Sequence, residues 1–167
     1  EGITEQDEKI AGIAHEAGKA SIIVVNKWDL VEKDGKTLIE YEKSLREKIA
    51  PFKDVDIIFA SALTKQRLLK VLEAALQVYA NRTQKIKTSE LNRIMLEAIE
   101  NYPPPSLKGK YVKIKYITQL PTHAPSFAFY CNLPQYVKDP YKRYLENQIR
   151  ENWKFTGVPI QIFMRKK

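Results

Sequence analysis

The alternation of apolar and polar positions predicts an αβαβα order for residues 1–80. Two short β-branched runs, Ser21–Val25 and Val55–Phe59, each end at a polar turn and are followed by a helical pattern. Parallel strands joined by helices show this pattern, and their carboxyl ends meet at one edge of the sheet. A ligand is therefore expected where the two loops emerge.

Three helices are predicted around these strands. The first follows Thr4 as its N-cap and ends at Gly18, the second covers about Thr37–Ile49 with Pro51 beyond it, and the third covers Gln66–Tyr79. Each helix carries apolar side chains at helical spacing. In the first two helices these face inward, and they are Ile10, Ile13, Ala14 and Ala17, and Leu38, Tyr41, Leu45 and Ile49. In the third helix they lie along one side, and they are Leu68, Leu69, Leu72, Leu76 and Tyr79.

Residues 88–167 predict an αββαβ order instead. A helix capped by Thr88 or Ser89 is expected to bury Leu91, Ile94, Met95, Ala98 and Ile99 before it ends near Asn101. The next strand, Tyr111–Leu120, is expected to turn Val112, Ile114 and Tyr116 to one face and Lys113 and Lys115 to the other. The remaining elements are an antiparallel strand Ser126–Cys131, a helix over about Tyr141–Trp153 that buries Tyr144, Leu145, Ile149 and Trp153, and a strand Ile160–Met164.

Charge also separates the two halves. Residues 1–80 hold 12 Lys and Arg against 14 Asp and Glu, a net of −2, whereas residues 81–167 carry a net of +10. We predict one domain over residues 1–80, a short polar linker over 81–87 and a second domain over 88–167.

Composition narrows the protein class. With 44% hydrophobic residues and no apolar run of eighteen, the chain is expected to be soluble and to have no membrane partner. Its first residues lack the features of a signal peptide, so we expect a cytoplasmic location. The single cysteine, Cys131, is interpreted as a small core residue rather than a nucleophile. His15 and His123 are isolated, so neither a metal site nor a catalytic histidine is predicted.

The loops after the first two strands suit a guanine base. Asp29 can accept from the two adjacent N–H donors of guanine, which adenine lacks, while Asn26 can hold the loop and the Lys27 stem can lie along the purine. A backbone N–H near Ala62 can donate to guanine O6. Asn-Lys-x-Asp alone is equally consistent with a capped turn. Together with Ser-Ala-Leu-Thr after the next strand, it resembles the base-recognition loops of GTPases.

The motifs EGITEQD, NKWDL, SALT and TSELN, with the αββαβ tail and its Pro-Ile-x-Ile, resemble the bacterial double-GTPase family called EngA or Der. The resemblance implies the C-terminal part of a P-loop, Ras-like three-layer GTPase fold, followed by an α+β KH-like domain. It also implies GTP binding and hydrolysis, assembly of the large ribosomal subunit and a cytoplasmic location. The residues that match the family's guanine-binding motifs are Asn26, Lys27, Asp29, Ser61, Ala62 and Leu63.

The sequence contains no Gly-x-x-x-x-Gly-Lys-Ser/Thr, switch threonine or Asp-x-x-Gly motif. We therefore expect the phosphate-binding half of the site to be missing, and assign no catalytic residue and no Mg²⁺ ligand. GTP or GDP with Mg²⁺ is expected as the cofactor of the complete protein. Its first GTPase domain is a candidate docking partner for these residues.

The basic tail is a candidate surface for ribosomal RNA. It lacks the Gly-x-x-Gly loop of standard KH domains between Asn132 and Tyr144, so phosphate contacts are expected to dominate. An ordinary solvated basic face is the alternative. The chain alone is thus either the guanine-reading end of a GTPase or a non-catalytic RNA-binding, ribosome-binding or interdomain module. The candidate RNA-binding residues are Lys108, Lys110, Lys113, Lys115, Lys142, Arg143, Arg150 and Lys154.

Overall fold

The computed structural model describes residues 3–32, 37–49, 54–107 and 109–166. The chain divides into two compact units. The first consists of Glu1–Arg82 together with Thr156–Pro159, and the second consists of Thr83–Phe155 together with Ile160–Lys167. Four residues that lie late in the sequence therefore belong to the first unit.

The first unit has the predicted αβαβα order. Strands β1 and β2 pair in parallel, with Ile23 opposite Ile57 and Val25 opposite Phe59. The loops that follow the two strands therefore emerge at the same edge. The elements are α1 (Glu5–Glu16), β1 (Ile23–Val25), a 3₁₀ turn (Trp28–Leu30), α2 (Thr37–Lys48), β2 (Ile57–Phe59) and α3 (Leu68–Thr83).

Helix α1 begins as predicted. Thr4 is its N-cap in a reciprocal capping box, where the Asp7 carboxylate accepts from the Thr4 N–H at 2.9 Å and the Asp7 N–H donates to Thr4 Oγ1 at 3.3 Å. The Thr4 N–H, together with the Thr4 hydroxyl that donates to Asp7 Oδ2 at 2.7 Å, lowers the pKa of the Asp7 carboxyl. Gly18 follows the helix with a φ of +66°, a conformation that favours glycine.

The predicted burial of the α1 stripe is wrong. Ile10 and Ile13 are 57% and 67% exposed, and no residue of α1 is buried. Helix α3 likewise leaves its apolar side open, with Leu72 62% and Leu76 71% exposed. Two paired strands of three residues each offer too little sheet surface to cover the helices around them. Amphipathic spacing specifies an apolar face, but tertiary contacts decide whether it is covered.

The core of the first unit forms between α2 and the ends of the strands. The predicted inward residues of α2 are confirmed, since Leu45 and Ile49 are buried and Tyr41 is half-buried. The Trp28 ring lies 4.4 Å from that of Phe59, measured between centroids, and 5.5 Å from that of Tyr41. Pro51, expected just past α2, lies outside the described residues.

The second unit has the predicted αββαβ order, so the fold class predicted for the chain is confirmed. Its sheet has the order β3-β4-β5, with β3 antiparallel and β5 parallel to the central β4. Helix α4 has Lys87 as its N-cap, without a side-chain hydrogen bond, so the predicted capping by Thr88 or Ser89 is wrong. The elements are α4 (Thr88–Asn101), β3 (Ile114–Leu120), β4 (Ser126–Cys131), a 3₁₀ turn (Pro134–Tyr136), α5 (Asp139–Asn152) and β5 (Gln161–Lys166).

Both helices of the second unit pack on one face of its sheet. The core residues they share with the strands are Leu91, Met95, Ile99, Ile117, Phe127, Phe129, Cys131, Leu145 and Ile149. The interpretation of Cys131 as a core residue is confirmed, and burial raises the pKa of its thiol. The opposite face of the sheet carries Tyr116, Tyr130 and Phe163.

The predicted face of Tyr116 is wrong because of a β-bulge. The register of β3 against β4 shifts between Ile114 and Tyr116, so that Ile114 lies opposite Cys131 and Tyr116 opposite Tyr130. The extra residue, Lys115, lets Ile114 and Ile117 both reach the core, and Tyr116 is 43% exposed. Simple alternation fails wherever one strand gains a residue over its partner.

The join between the units is more ordered than its polar sequence suggests. Residues 81–83, expected in a linker, form the last turn of α3. The Gln119 side chain then holds the following segment, since its Nε2 donates to the Gln84 carbonyl at 3.0 Å and its Oε1 accepts from the Ile86 N–H at 2.9 Å. Across the described part of the chain, no helix combines the length and apolar character required to span a membrane.

Candidate functional site

The two polar loops of the first unit meet beyond the carboxyl ends of β1 and β2. The Asn26 side-chain Oδ1 accepts from the backbone N–H of Ala62 at 3.0 Å, which joins the loops directly. Next to this bond, the Trp28 N–H donates to the Ala60 carbonyl at 3.1 Å. The parallel pairing thus places the six residues predicted to bind guanine on two adjacent loops.

The first loop is a tight turn anchored by a buried tryptophan. Lys27 has a φ of +58°, in the left-handed region, and its carbonyl accepts from the Leu30 N–H at 3.1 Å. The left-handed conformation costs a residue other than glycine about 1 kcal/mol or more. Trp28 fixes the turn by packing its ring against those of Tyr41 and Phe59, which also contact each other. Sequence reasoning assigned Trp28 no role, although a large aromatic side chain within a polar loop is a signal for such an anchor.

Asp29 has an unpaired carboxylate oxygen. Among the described residues, its Oδ1 is the one buried side-chain oxygen or nitrogen without a hydrogen-bond partner. A buried acceptor left unpaired costs about 1–3 kcal/mol, and more when it is charged. Natural structures rarely keep such a group unless a ligand, an ion or water satisfies it. Oδ1 is therefore the clearest sign of a binding function in the first unit.

The second loop is shaped by Ser61. This buried serine donates its N–H to the Gln66 carbonyl at 3.1 Å, and its hydroxyl accepts from the Thr64 N–H at 3.1 Å. Lys65 and Arg67 both have a φ of +59°, although neither is glycine, and the Arg67 guanidinium donates to the Phe59 carbonyl at 3.4 Å. Ser61 thus acts on the loop backbone, and its side chain is not presented to a ligand.

One prediction for this loop needs refinement. The N–H of Ala62 was a candidate donor to guanine O6, but here it donates to Asn26 Oδ1. In the described structure, the neighbouring N–H of Leu63 has no hydrogen-bond partner, and the Leu63 side chain is 85% exposed. Leu63 is therefore the better candidate donor, and Asn26 can offer its Nδ2 to a base.

The candidate RNA-binding residues of the second unit occupy different environments. Lys142 pairs with Asp139 at 3.0 Å. Arg150 pairs with Glu146 at 2.9 Å and also donates to the Phe155 carbonyl at 3.2 Å, so it supports the fold. Lys108 lies outside the described residues. The exposed members are Lys110, which lies 5.6 Å from the Tyr136 ring centroid, Lys113, Lys115, Arg143 and Lys154.

In the parts of the chain that the structure describes, no three His, Cys, Asp or Glu side chains come together in a metal-binding arrangement.

Comparison with known proteins adds the evolutionary context. Residues 85–165 match the family model described as the KH-domain-like C-terminal region of EngA bacterial GTPase enzymes. A solved structure, Era in complex with MgGDPNP and nucleotides 1506–1542 of 16S ribosomal RNA, is 17% identical with a TM-score of 0.41. The match covers 99% of this chain and 61% of that chain.

Proteins named GTPase Der match almost the whole chain. Those of Flavobacterium johnsoniae and Flavobacterium psychrophilum are 60% and 61% identical, each over 99% of this chain. That of Bacteroides thetaiotaomicron is 58% identical, also over 99%. The chain spans only 38% of the length of these relatives. Over nearly its whole length the chain is thus similar to part of the EngA/Der family of bacterial GTPases.

Proposed function

We propose that these residues form the guanine-reading end of a GTPase and a basic domain that attaches it to the large ribosomal subunit. The observation that carries the first part is the buried, unpaired Oδ1 of Asp29 beside two joined loops. The guanine N1 and N2 donors would satisfy this carboxylate, which adenine cannot do.

The groups around Asp29 fit a nucleotide base better than another kind of hydrogen-bond donor. Asn26 keeps its Nδ2 available while its Oδ1 fixes the two loops together. The Leu63 N–H provides a donor for O6, and the exposed Lys27 can lie over the ring. Specificity arises because a wrong base would leave at least one of these polar groups, or the Asp29 carboxylate, unpaired.

These loops would contact only the guanine base of GTP or GDP. Lys and Mg²⁺ that neutralise the phosphates supply the chemistry of phosphoryl transfer, and the sequence holds no motif for either. We propose that a separate part of a longer protein provides them. Within these 167 residues, the guanine loops supply affinity and selectivity rather than catalysis.

The second unit is proposed to bind ribosomal RNA of the large subunit. Its support is the net charge of +10 on residues 81–167, more than solubility requires. Docking on a first GTPase domain is the alternative use of this unit, in which case these residues alone act as a non-catalytic interaction module. Association with ribosomal subunits would place the protein in the cytoplasm.

We expect the purified 167-residue chain to show no Mg²⁺-dependent GTP hydrolysis and only weak binding of GTP. Base contacts without phosphate contacts forgo the charge-assisted interactions that position a nucleotide. Phosphate release measured alongside the full-length protein, expected to be active, tests this proposal. Hydrolysis by the chain alone, reduced by Asp29→Asn, would reveal a phosphate site within it. An inactive full-length protein would contradict the GTPase assignment itself.

A further inference from the structure

We infer that the outer sheet face of the second unit binds single-stranded RNA by stacking unpaired bases on its aromatic rings. This inference rests on the proposed RNA-binding function and specifies its surface and its mode. The outer sheet face is the side of β3-β4-β5 turned away from α4 and α5. Its residues are Tyr116, Thr118, Ala128, Tyr130, Phe163 and Arg165.

The strand register aligns these residues in rows. Tyr116 lies opposite Tyr130, which lies opposite Arg165 on the far strand. In the next row, the small Ala128 lies between Thr118 and Phe163. The Tyr116 and Tyr130 ring centroids are 5.9 Å apart. The arrangement is an aromatic platform whose rings flank the fully buried Ala128 of the central strand.

The platform exposes rings that a core would normally cover. Tyr116 is 43% exposed and Phe163 is 42% exposed. Tyr116 reaches this face only because the bulge at Lys115 reverses the alternation of β3. Bulges are a common device for re-aiming a side chain near functional sites. Aromatic rings on a sheet stack bases with little sequence preference, because every base has a π-face.

Charge points to a polyanionic partner. All acidic residues of the second half of the chain lie on α4 and α5, which cover the opposite face of the sheet. They are Glu90, Glu97, Glu100, Asp139, Glu146 and Glu151. Residues 101–138 contain no Asp or Glu but five lysines, and β5 adds Arg165 and Lys166. The charged residues within the three strands, Lys115, Arg165 and Lys166, are therefore all basic.

Single-stranded RNA explains the combination better than a protein partner does. Protein interfaces are depleted of lysine, whereas grooves for single strands pair lysine and arginine with exposed aromatic rings. Stacking also needs no Gly-x-x-Gly loop, which this domain lacks. Phosphates would contact Lys113, Lys115 and Arg165 along the edges, while bases lie on the rings.

Replacing both exposed rings tests the stacking. We expect Tyr116→Leu with Phe163→Leu to weaken binding of the whole chain to a labelled twelve-nucleotide oligouridylate by about tenfold for each ring. Leucine keeps an apolar side chain and the net charge, so phosphate contacts stay intact. Tyr111→Leu is the matched control, because Tyr111 is 77% exposed but lies outside the strands. The RNA affinity of the Tyr111→Leu variant should equal that of the wild type.

Charge reversal on the two faces tests the location independently. Lys113→Glu with Lys115→Glu should weaken binding at least tenfold and reduce the salt slope by about 1.4, the value for two phosphate contacts on a single strand. Lys87→Glu with Arg93→Glu makes the same change of net charge at α4, on the helix side, where both residues are exposed. This control should have the smaller effect on both quantities.

The outcomes separate the inference from the proposed function. Wild-type affinity in a folded double-ring variant, or equal binding of duplex and single-stranded RNA, would overturn the stacking surface and leave general RNA binding in place. Equal losses from the two charge reversals would overturn its location on the sheet. A wild-type chain that binds no RNA, while the full-length protein still binds guanine nucleotides, would remove the RNA-binding part of the proposed function and the inference with it.

Discussion

Asp29→Asn in the full-length protein is expected to weaken GTP binding by about 3 kcal/mol or more, at least a hundredfold in Kd. The substitution removes a charge-assisted acceptor and places an amide donor opposite the donors of the guanine base. The same change should improve binding of xanthosine triphosphate, because the new amide can donate to its 2-oxo group. Competition of labelled GDP with each triphosphate measures both effects.

The size of this effect follows from the burial of Asp29. An exposed carboxylate would exchange the base for water at little cost, whereas Asp29 is half-buried and its Oδ1 has no hydrogen-bond partner among the described residues. Trp28 holds the turn in place by packing against Tyr41 and Phe59, so the loop cannot easily move to relieve a mismatch. A rigid, partly desolvated acceptor is the arrangement that discriminates best between bases.

Glu32→Gln is the charge-matched control. Glu32 follows the same turn but is exposed, so its neutralisation should leave GTP affinity within about twofold of the wild type. Equal losses from the two variants would mean that general electrostatics, not a specific pair, governs binding. GTP affinity unchanged by Asp29→Asn would contradict the guanine assignment directly.

Local sequence patterns predicted most elements and the position of the loops. Strand and helix periodicity placed Asn26 and Ala62 at one edge, because parallel pairing leaves their loops no other place to emerge. Position alone did not predict the hydrogen bond between them, which diverts the Ala62 N–H from its expected role. The unpaired oxygen of Asp29 could not be predicted from sequence either, since the burial and hydrogen bonding of one atom depend on the folded structure.

The incorrect predictions share a physical cause, because non-local contacts override the local sequence pattern. The side of the sheet on which Tyr116 lies depends on how many residues of β4 pair with those of β3, which is a property of the two strands together. The open faces of α1 and α3 depend on how much sheet is available to cover them. The segment between α5 and β5 is the strongest case, because its local sequence, Phe-Thr-Gly-Val-Pro, indicates only a turn.

That segment belongs to the first unit and completes its strand edge. Gly157 accepts from the Ser21 N–H at 2.7 Å and donates to the Asp54 carbonyl at 2.8 Å, so it bridges the residues that precede both strands. The buried Asn81 side chain donates to the Thr156 carbonyl at 3.0 Å. With a φ of +74° and close backbone neighbours, Gly157 occupies a position that no other residue fills without strain.

Gly157→Ala is therefore expected to destabilise the first unit by about 2–5 kcal/mol. A Cβ atom at this position would lie 2.6 Å from the Ser21 carbonyl oxygen and 2.8 Å from Val78 Cγ2. The left-handed backbone adds about 1–2 kcal/mol and overpacking about 1–3 kcal/mol. Urea unfolding followed by Trp28 fluorescence, in a Trp153→Phe background, reports the first unit alone because the chain has two tryptophans.

Two other glycines separate the contributions. Gly109, in the second unit, has a φ of +72°, but a Cβ atom added there would meet no atom within 4 Å. Gly109→Ala should therefore cost that unit only the backbone contribution of about 1–2 kcal/mol, followed by Trp153 fluorescence in a Trp28→Phe background. Gly12 lies within α1 with open space around it, so Gly12→Ala should stabilise the helix by about 0.5–1 kcal/mol. If Gly157→Ala cost no more than Gly109→Ala, the contacts with Ser21 and Val78 would contribute nothing, and residues 156–159 would be a passive connection rather than part of the first unit's structure.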